Sequence, residues 1–151
     1  MRVVIQRVDR AAVTVEDKIV GQIARGILAY VGIERGDSEK EIAFMAEKIL
    51  NLRIFPDPEG KMNLSVKEIN GKILSISQFT LASHIKKGRR PDFNDAEEPA
   101  KAAALYEKFN RLLAEEIEVQ TGIFAAMMKI ESINDGPVTF IIEKSPLTEP
   151  T

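Results

Sequence analysis

The chain has no cysteine, no tryptophan and a single histidine, His84, among its 151 residues. Without cysteine there is no disulfide, no thiolate nucleophile and no cysteine-ligated zinc site. With one histidine, a multi-histidine metal centre within the chain is excluded, as is any histidine relay that does not use His84. Long hydrophobic runs are missing as well. No stretch reaches about 18 apolar residues, so no membrane-spanning helix is expected. The opening MRVVIQRV alternates like a strand and lacks the apolar region and cleavage site of a signal peptide. A cytoplasmic protein is the expectation. Phosphate-binding loops of Walker or dinucleotide spacing are also absent, which argues against a nucleotide-dependent enzyme. Catalysis must then use hydroxyls, carboxylates, basic groups, backbone amides or the substrate itself, with no cofactor and no metal.

What remains is ordinary globular material. The 44% apolar and 29% charged composition can build one core, and the length fits one domain. A net charge of −2 does not mark a nucleic-acid partner, although a local basic patch can supply one.

Residues 2–8 read as a strand, and residues 13–15 and 19–23 flank EDK as a short hairpin. Residues 26–33, GILAYVGI, form a nearly continuous apolar run, as in a strand covered on both faces. Ser38 with Glu41 has the form of a capping box. Behind it Ile42, Met45, Ala46, Ile49 and Leu50 recur at helical spacing. A turn-rich loop at residues 55–61 precedes a strand at 72–79. A long polar segment then leads to Pro99, placed for the first turn of a second helix. That helix carries a stripe through Leu105, Tyr106, Phe109, Leu112 and Leu113. Residues 124–133 and 138–142 read as two closing strands joined by a turn at NDGPVT, with a frayed tail after them. The expected fold is α/β: a single compact domain, residues 1–144, of mixed β-sheets with two main helices packed on one side. Residues 145–151 are expected to form a flexible tail.

Chemistry has three candidate locations. Ser77, Gln78, Phe79 and Thr80 stand where a buried strand emerges into the long segment. They can present donors, and freed backbone amides, to an oxyanion in a cleft; alternatively the hydroxyls simply finish the strand by bonding local backbone. Lys86, Lys87, Arg89 and Arg90 place four cations in five residues, which suits a phosphate partner or merely a solvated surface. His84 lies between the two, as a candidate general base or a plain surface histidine.

In combination these segments resemble the D-aminoacyl-tRNA deacylases. The resemblance runs through MRVVIQRV, MAEKILNLRIFPD at 45–57, GKMNLSV at 60–66, SQFTL at 77–81, KKGRRPDF at 86–93 and NDGPVT at 134–139. Ala125 stands where relatives commonly have glycine. The resemblance implies a homodimer in which Gly136-Pro137 of each subunit, with a cis peptide between them, enters the partner's active site. It implies hydrolysis of the ester of D-aminoacyl-tRNA, and its steric logic extends to glycyl-tRNA mischarged on tRNA(Ala). Ser77, Gln78, Phe79 and Thr80 would form the catalytic element, and Gly136, Pro137, Val138 and Thr139 the substrate-binding one. Arg7 would brace that second element, or else form a surface salt bridge. Lys86, Lys87, Arg89 and Arg90 would contact tRNA. A general esterase using Ser77 or Thr80, and a non-catalytic tRNA-binding module, are the competing readings.

Overall fold

The first strand is longer than its pattern implies. In the computed structural model, which describes residues 1–146, one strand β1 runs unbroken from Arg2 to Val15. It absorbs both segments that the sequence separated. Its length makes it the spine of the sheet, since β8 (Lys129–Glu143) pairs along nearly all of it. On the other side β3 (Gly26–Gly32) pairs with its first half, and β2 (Lys18–Ile23) with its second. The β1–β2 turn is Glu16-Asp17, both with positive φ, the backbone a two-residue hairpin demands.

β3 continues the sheet in parallel to β6 (Lys72–Ser77), and β6 to the short β7 (Val119–Thr121). Periodicity did not reveal β7, because three residues carry no pattern. The sheet curls toward a barrel. Gly21 of β2 lies so close to β7 that a Cβ there would come within 2.6 Å of the Thr121 carbonyl oxygen.

The two helices, α1 (Glu39–Asn51) and α2 (Pro99–Ala114), pack against each other on one face of this sheet. Ser38 caps α1 in a capping box with Glu41, and Pro99 opens α2, as the sequence predicts. Their buried stripes join Val3, Ile5, Ile27, Ala29 and Ile73 in the larger core. A smaller core of Val8, Val13, Leu28, Leu74 and Ile76 fills the inside of the curl. β3 is therefore covered on both faces, which explains its unbroken apolar run. Each fully buried Ile or Leu contributes about 1.5–3 kcal/mol. The loop at 55–61 opens with β4 (Phe55–Pro56), which pairs with β5 (Met62–Leu64) just after it in a small separate ribbon.

Two expectations near the C-terminus need correction. The strand expected from Phe124 starts only at Lys129, because Ala125 has φ +63° and turns the chain away from extended geometry. NDGPVT does not join two strands; it lies inside the single strand β8. There the register with β1 slips, so that five steps on β8, Asn134 to Thr139, pass only two on β1, Val8 to Gln6. The surplus residues form a bulge, which leaves the ladder intact on either side. Of the expected tail, residues 147–151 lie outside the described residues.

Candidate active site

The end of β6 is held from three sides. Ser77 is paired with Val31 of β3, and the next amide, that of Gln78, donates to the Val31 carbonyl at 2.8 Å. Below, the Tyr106 hydroxyl of α2 donates to the Ser75 carbonyl at 2.8 Å. Burial pushes the Tyr106 phenol up in pKa, so it remains a donor. The chain then tightens into a 3₁₀ turn, Phe79–Ala82.

The amides of Leu81 and Ser83 bond back to the carbonyls of Gln78 and Thr80. Those of Phe79 and Thr80 open the turn, ahead of its internal bonds, and this is where a helical turn leaves donors free for a ligand. From β1, Arg2 Nη1 donates to the Leu81 carbonyl at 3.0 Å. Gly32 permits the close fit of strand and turn, since a Cβ there would meet Leu81 Cβ at 2.8 Å.

Ser77, Gln78 and Phe79 line a cleft of about 720 Å³. Its walls are apolar and aromatic (Phe93, Phe124, Met128 and Ile130), with Arg35, Glu97 and Glu98 among the polar groups. The Phe79 and Phe93 rings meet at 5.3 Å with a 60° tilt. Glu97 accepts the Glu98 amide and pairs with Lys101 at 3.1 Å. The amide bond above all holds its carboxyl below the usual carboxylate range. Thr80 is not among the cleft-lining residues; its hydroxyl accepts a hydrogen bond from Gln78 Nε2 at 2.5 Å.

Gly136, Val138 and Thr139 lie elsewhere in the same chain, on β8. None of these three lines this cleft. Val138 is buried in the larger core, and Thr139 Oγ1 accepts from Gln6 at 3.2 Å. Gly136 is exposed. The bulge is tied down by its flanks: Asn134 Nδ2 donates to the Arg7 and Val138 carbonyls at 3.0 and 3.3 Å. Arg7 Nε reaches the Asp135 carboxylate at 2.9 Å, and its Nη1 donates to the Ile54 carbonyl at 2.7 Å. Arg7 is thus wedged between the β4 region and the bulge rather than lying on the surface.

Lys86, Lys87, Arg89 and Arg90 are all exposed, and none makes an ion pair among the described residues. Their loop begins directly after the 3₁₀ turn and returns to the cleft wall at Phe93. Nothing in the residue pattern marks Arg35, Glu97, Phe124 and Met128 as cleft residues, since they come from three separate segments. Ala125 has φ +63°, a conformation that favours glycine, and an alanine in that place carries no sequence sign of the turn.

Comparison with known proteins agrees with the geometry. A family model described as D-Tyr-tRNA(Tyr) deacylase matches residues 4–143. A D-aminoacyl-tRNA deacylase of Bacillus velezensis is 53% identical over 95% of this chain and 98% of its own. Its counterpart in Brevibacillus brevis is 55% identical over 95% and 99%. Among solved structures, the c-Myc DNA unwinding element binding protein superposes with a TM-score of 0.92 at 40% identity, covering 96% of this chain and 99% of that one. A probable eukaryotic D-amino acid tRNA deacylase shares the fold, with a TM-score of 0.80 at 22% identity. The chain belongs to the D-aminoacyl-tRNA deacylase family, hydrolases that act on aminoacyl-tRNA.

Proposed function

We propose that the cleft hydrolyses the ester joining a D-amino acid to the terminal ribose of tRNA, and that two copies of the chain build each working site. The observation that carries this reading is a division within one chain. The turn with free amides stands at the cleft, whereas Gly136 is exposed on the bulge and does not line that cleft.

A second copy resolves that division. β8 pairs only with β1 among the described strands, and Ile133, Phe140 and Ile141 are exposed along it. An exposed strand with large apolar side chains is a surface that a partner is expected to cover. Contact through this strand brings the bulge of one copy to the other's cleft.

In the reaction, water attacks the ester carbonyl carbon and the carbonyl oxygen becomes an oxyanion. The amides of Phe79 and Thr80 receive that charge. The tetrahedral intermediate collapses, the ribose oxygen leaves with a proton, and free D-amino acid and tRNA result. The neighbouring 2′-hydroxyl of the substrate assists in orienting the water. Aminoacyl esters are labile, so positioning and oxyanion stabilisation supply enough rate. Thr80 is not the nucleophile in this scheme: its hydroxyl is engaged by Gln78.

The carbonyls of Gly136 and Pro137, presented by the partner, hold the substrate ammonium. Arg7, through Asp135, keeps them in place. An L side chain runs into this backbone, a D side chain points away, and glycine has nothing to collide. Rejection by clash gives more discrimination than added attraction could. The apolar aromatic walls suit the terminal nucleobase, and Lys86, Lys87, Arg89 and Arg90 the phosphates beside it. Cytoplasmic tRNA is the substrate pool.

Glycyl-tRNA tests the steric filter. Enzyme sufficient to clear D-tyrosyl-tRNA should also hydrolyse glycyl-tRNA carried on tRNA(Ala). Intact glycyl-tRNA under those conditions would mean that the filter is not purely steric.

A further inference from the structure

His84 takes no part in the chemistry above, yet it is tightly held. Its backbone exchanges two hydrogen bonds with Asp92, N to O at 2.8 Å and O to N at 2.9 Å. These close residues 85–91 into a loop of their own, and that loop carries Lys86, Lys87, Arg89 and Arg90, with Gly88 at φ +73° near its tip. The His84 ring contributes a third tie, from Nε2 to the Asp95 carboxylate.

Asp95 belongs to a segment already fastened to the body of the protein. Its carbonyl accepts the Arg35 amide at 2.8 Å, Ala96 bridges to Glu34, and the Glu97 amide bonds the Ile33 carbonyl at 3.1 Å. Between the two ties, Phe93 packs on Phe79 of the 3₁₀ turn.

We infer that His84 and Asp95 form a clasp that holds the cationic loop in fixed register over the cleft, so that it grips the phosphates next to the acylated nucleoside. The inference rests on the deacylase reading and on the loop's role as the tRNA contact. Its physical basis is preorganisation. Lys and Arg side chains on an unanchored loop must be ordered at the moment of binding, and that cost is subtracted from affinity. A clasp at the base of the loop removes part of it beforehand. His84 is then a positioning residue, and only substrates long enough to reach the loop sense it.

Two substrates separate this from a structural role: D-tyrosyl-tRNA, and D-tyrosyl-adenosine esterified at the ribose, which has the reacting centre but no neighbouring phosphates. In H84A, KM for D-tyrosyl-tRNA should rise about fivefold, as expected for renewed ordering of a loop and its side chains. Its kcat, and both constants for D-tyrosyl-adenosine, should stay as in the unmodified enzyme. H84Q retains a donor toward Asp95 and should recover most of the loss. D95A, which removes the acceptor, should reproduce H84A and serves if that variant folds poorly. An unchanged KM for the tRNA substrate in both H84A and D95A would overturn the clasp. So would equal losses on both substrates. Hydrolysis of D-tyrosyl-adenosine by the unmodified enzyme scores the deacylase reading separately.

Discussion

Arg7 and Asp135 meet across the bulge of β8 through one nitrogen. Arg7 Nε stands 2.9 Å from the Asp135 carboxylate and 3.2 Å from the Asp135 backbone carbonyl. The guanidinium therefore fixes the main chain immediately before Gly136 as well as a side chain. R7A should lower the D-over-L preference about tenfold, equivalent to ~1.4 kcal/mol, because the backbone that rejects the L side chain gains freedom. Rates on D- and L-tyrosyl-tRNA measured in parallel decide this, and an unaltered ratio would reduce Arg7 to a brace for the fold.

The Thr80 hydroxyl offers a sharp mechanistic test. If backbone amides carry the chemistry, T80A should keep kcat within about threefold, whereas removing a covalent nucleophile costs on the order of a thousandfold or more. Single-turnover hydrolysis of D-tyrosyl-tRNA distinguishes these outcomes.

Gly32 bears on the same turn from behind. A methyl group there meets Leu81 Cβ at 2.8 Å and must displace the turn or the strand. G32A should lower kcat by about 100-fold, the scale expected when a reacting group is misplaced by about 1 Å. Near-normal kcat would mean that the turn need not be held so closely.

Glu41 supplies a stability test away from the site. Burial alone would raise its pKa, but the hydrogen bonds from the Ser38 side chain and backbone outweigh burial, and the carboxyl lies below its ordinary value. A lowered folded pKa means stability that is present above the ordinary value, about 4.3, and lost as pH falls through the folded one. E41Q keeps an acceptor but cannot titrate. It should be less stable than the unmodified protein at neutral pH, and the gap should narrow below about pH 4. Denaturant midpoints at pH 7 and pH 3 measure it, and a gap of equal size at both would contradict the assignment.

Much of this was legible in the sequence because it was local. The capping box of Ser38 and Glu41, the stripe from Ile42 to Leu50 and the doubly buried run at 26–32 depend on near neighbours, and the structure has each of them. SQFTL begins where β6 ends, at Ser77, two residues before the strand end expected at Phe79. What escaped was non-local. Asn134-Asp135-Gly136-Pro137 carries the residue types of a turn, and only pairing with β1 on both sides makes it a bulge. Phe124 lies in an apolar run that looks like a strand, and the positive φ of the next residue, Ala125, made it a cleft wall instead. Arg35 and Glu97 reach the cleft because residues 95–97 are bonded to residues 33–35, a tertiary arrangement with no periodic signature.

The central claim is that one cleft hydrolyses the D ester and refuses the L ester, and it is tested by following ester loss from D- and L-tyrosyl-tRNA side by side. The account predicts rapid loss from the D form and an L form as stable as in the absence of enzyme. Comparable hydrolysis of both, or of neither, would contradict it.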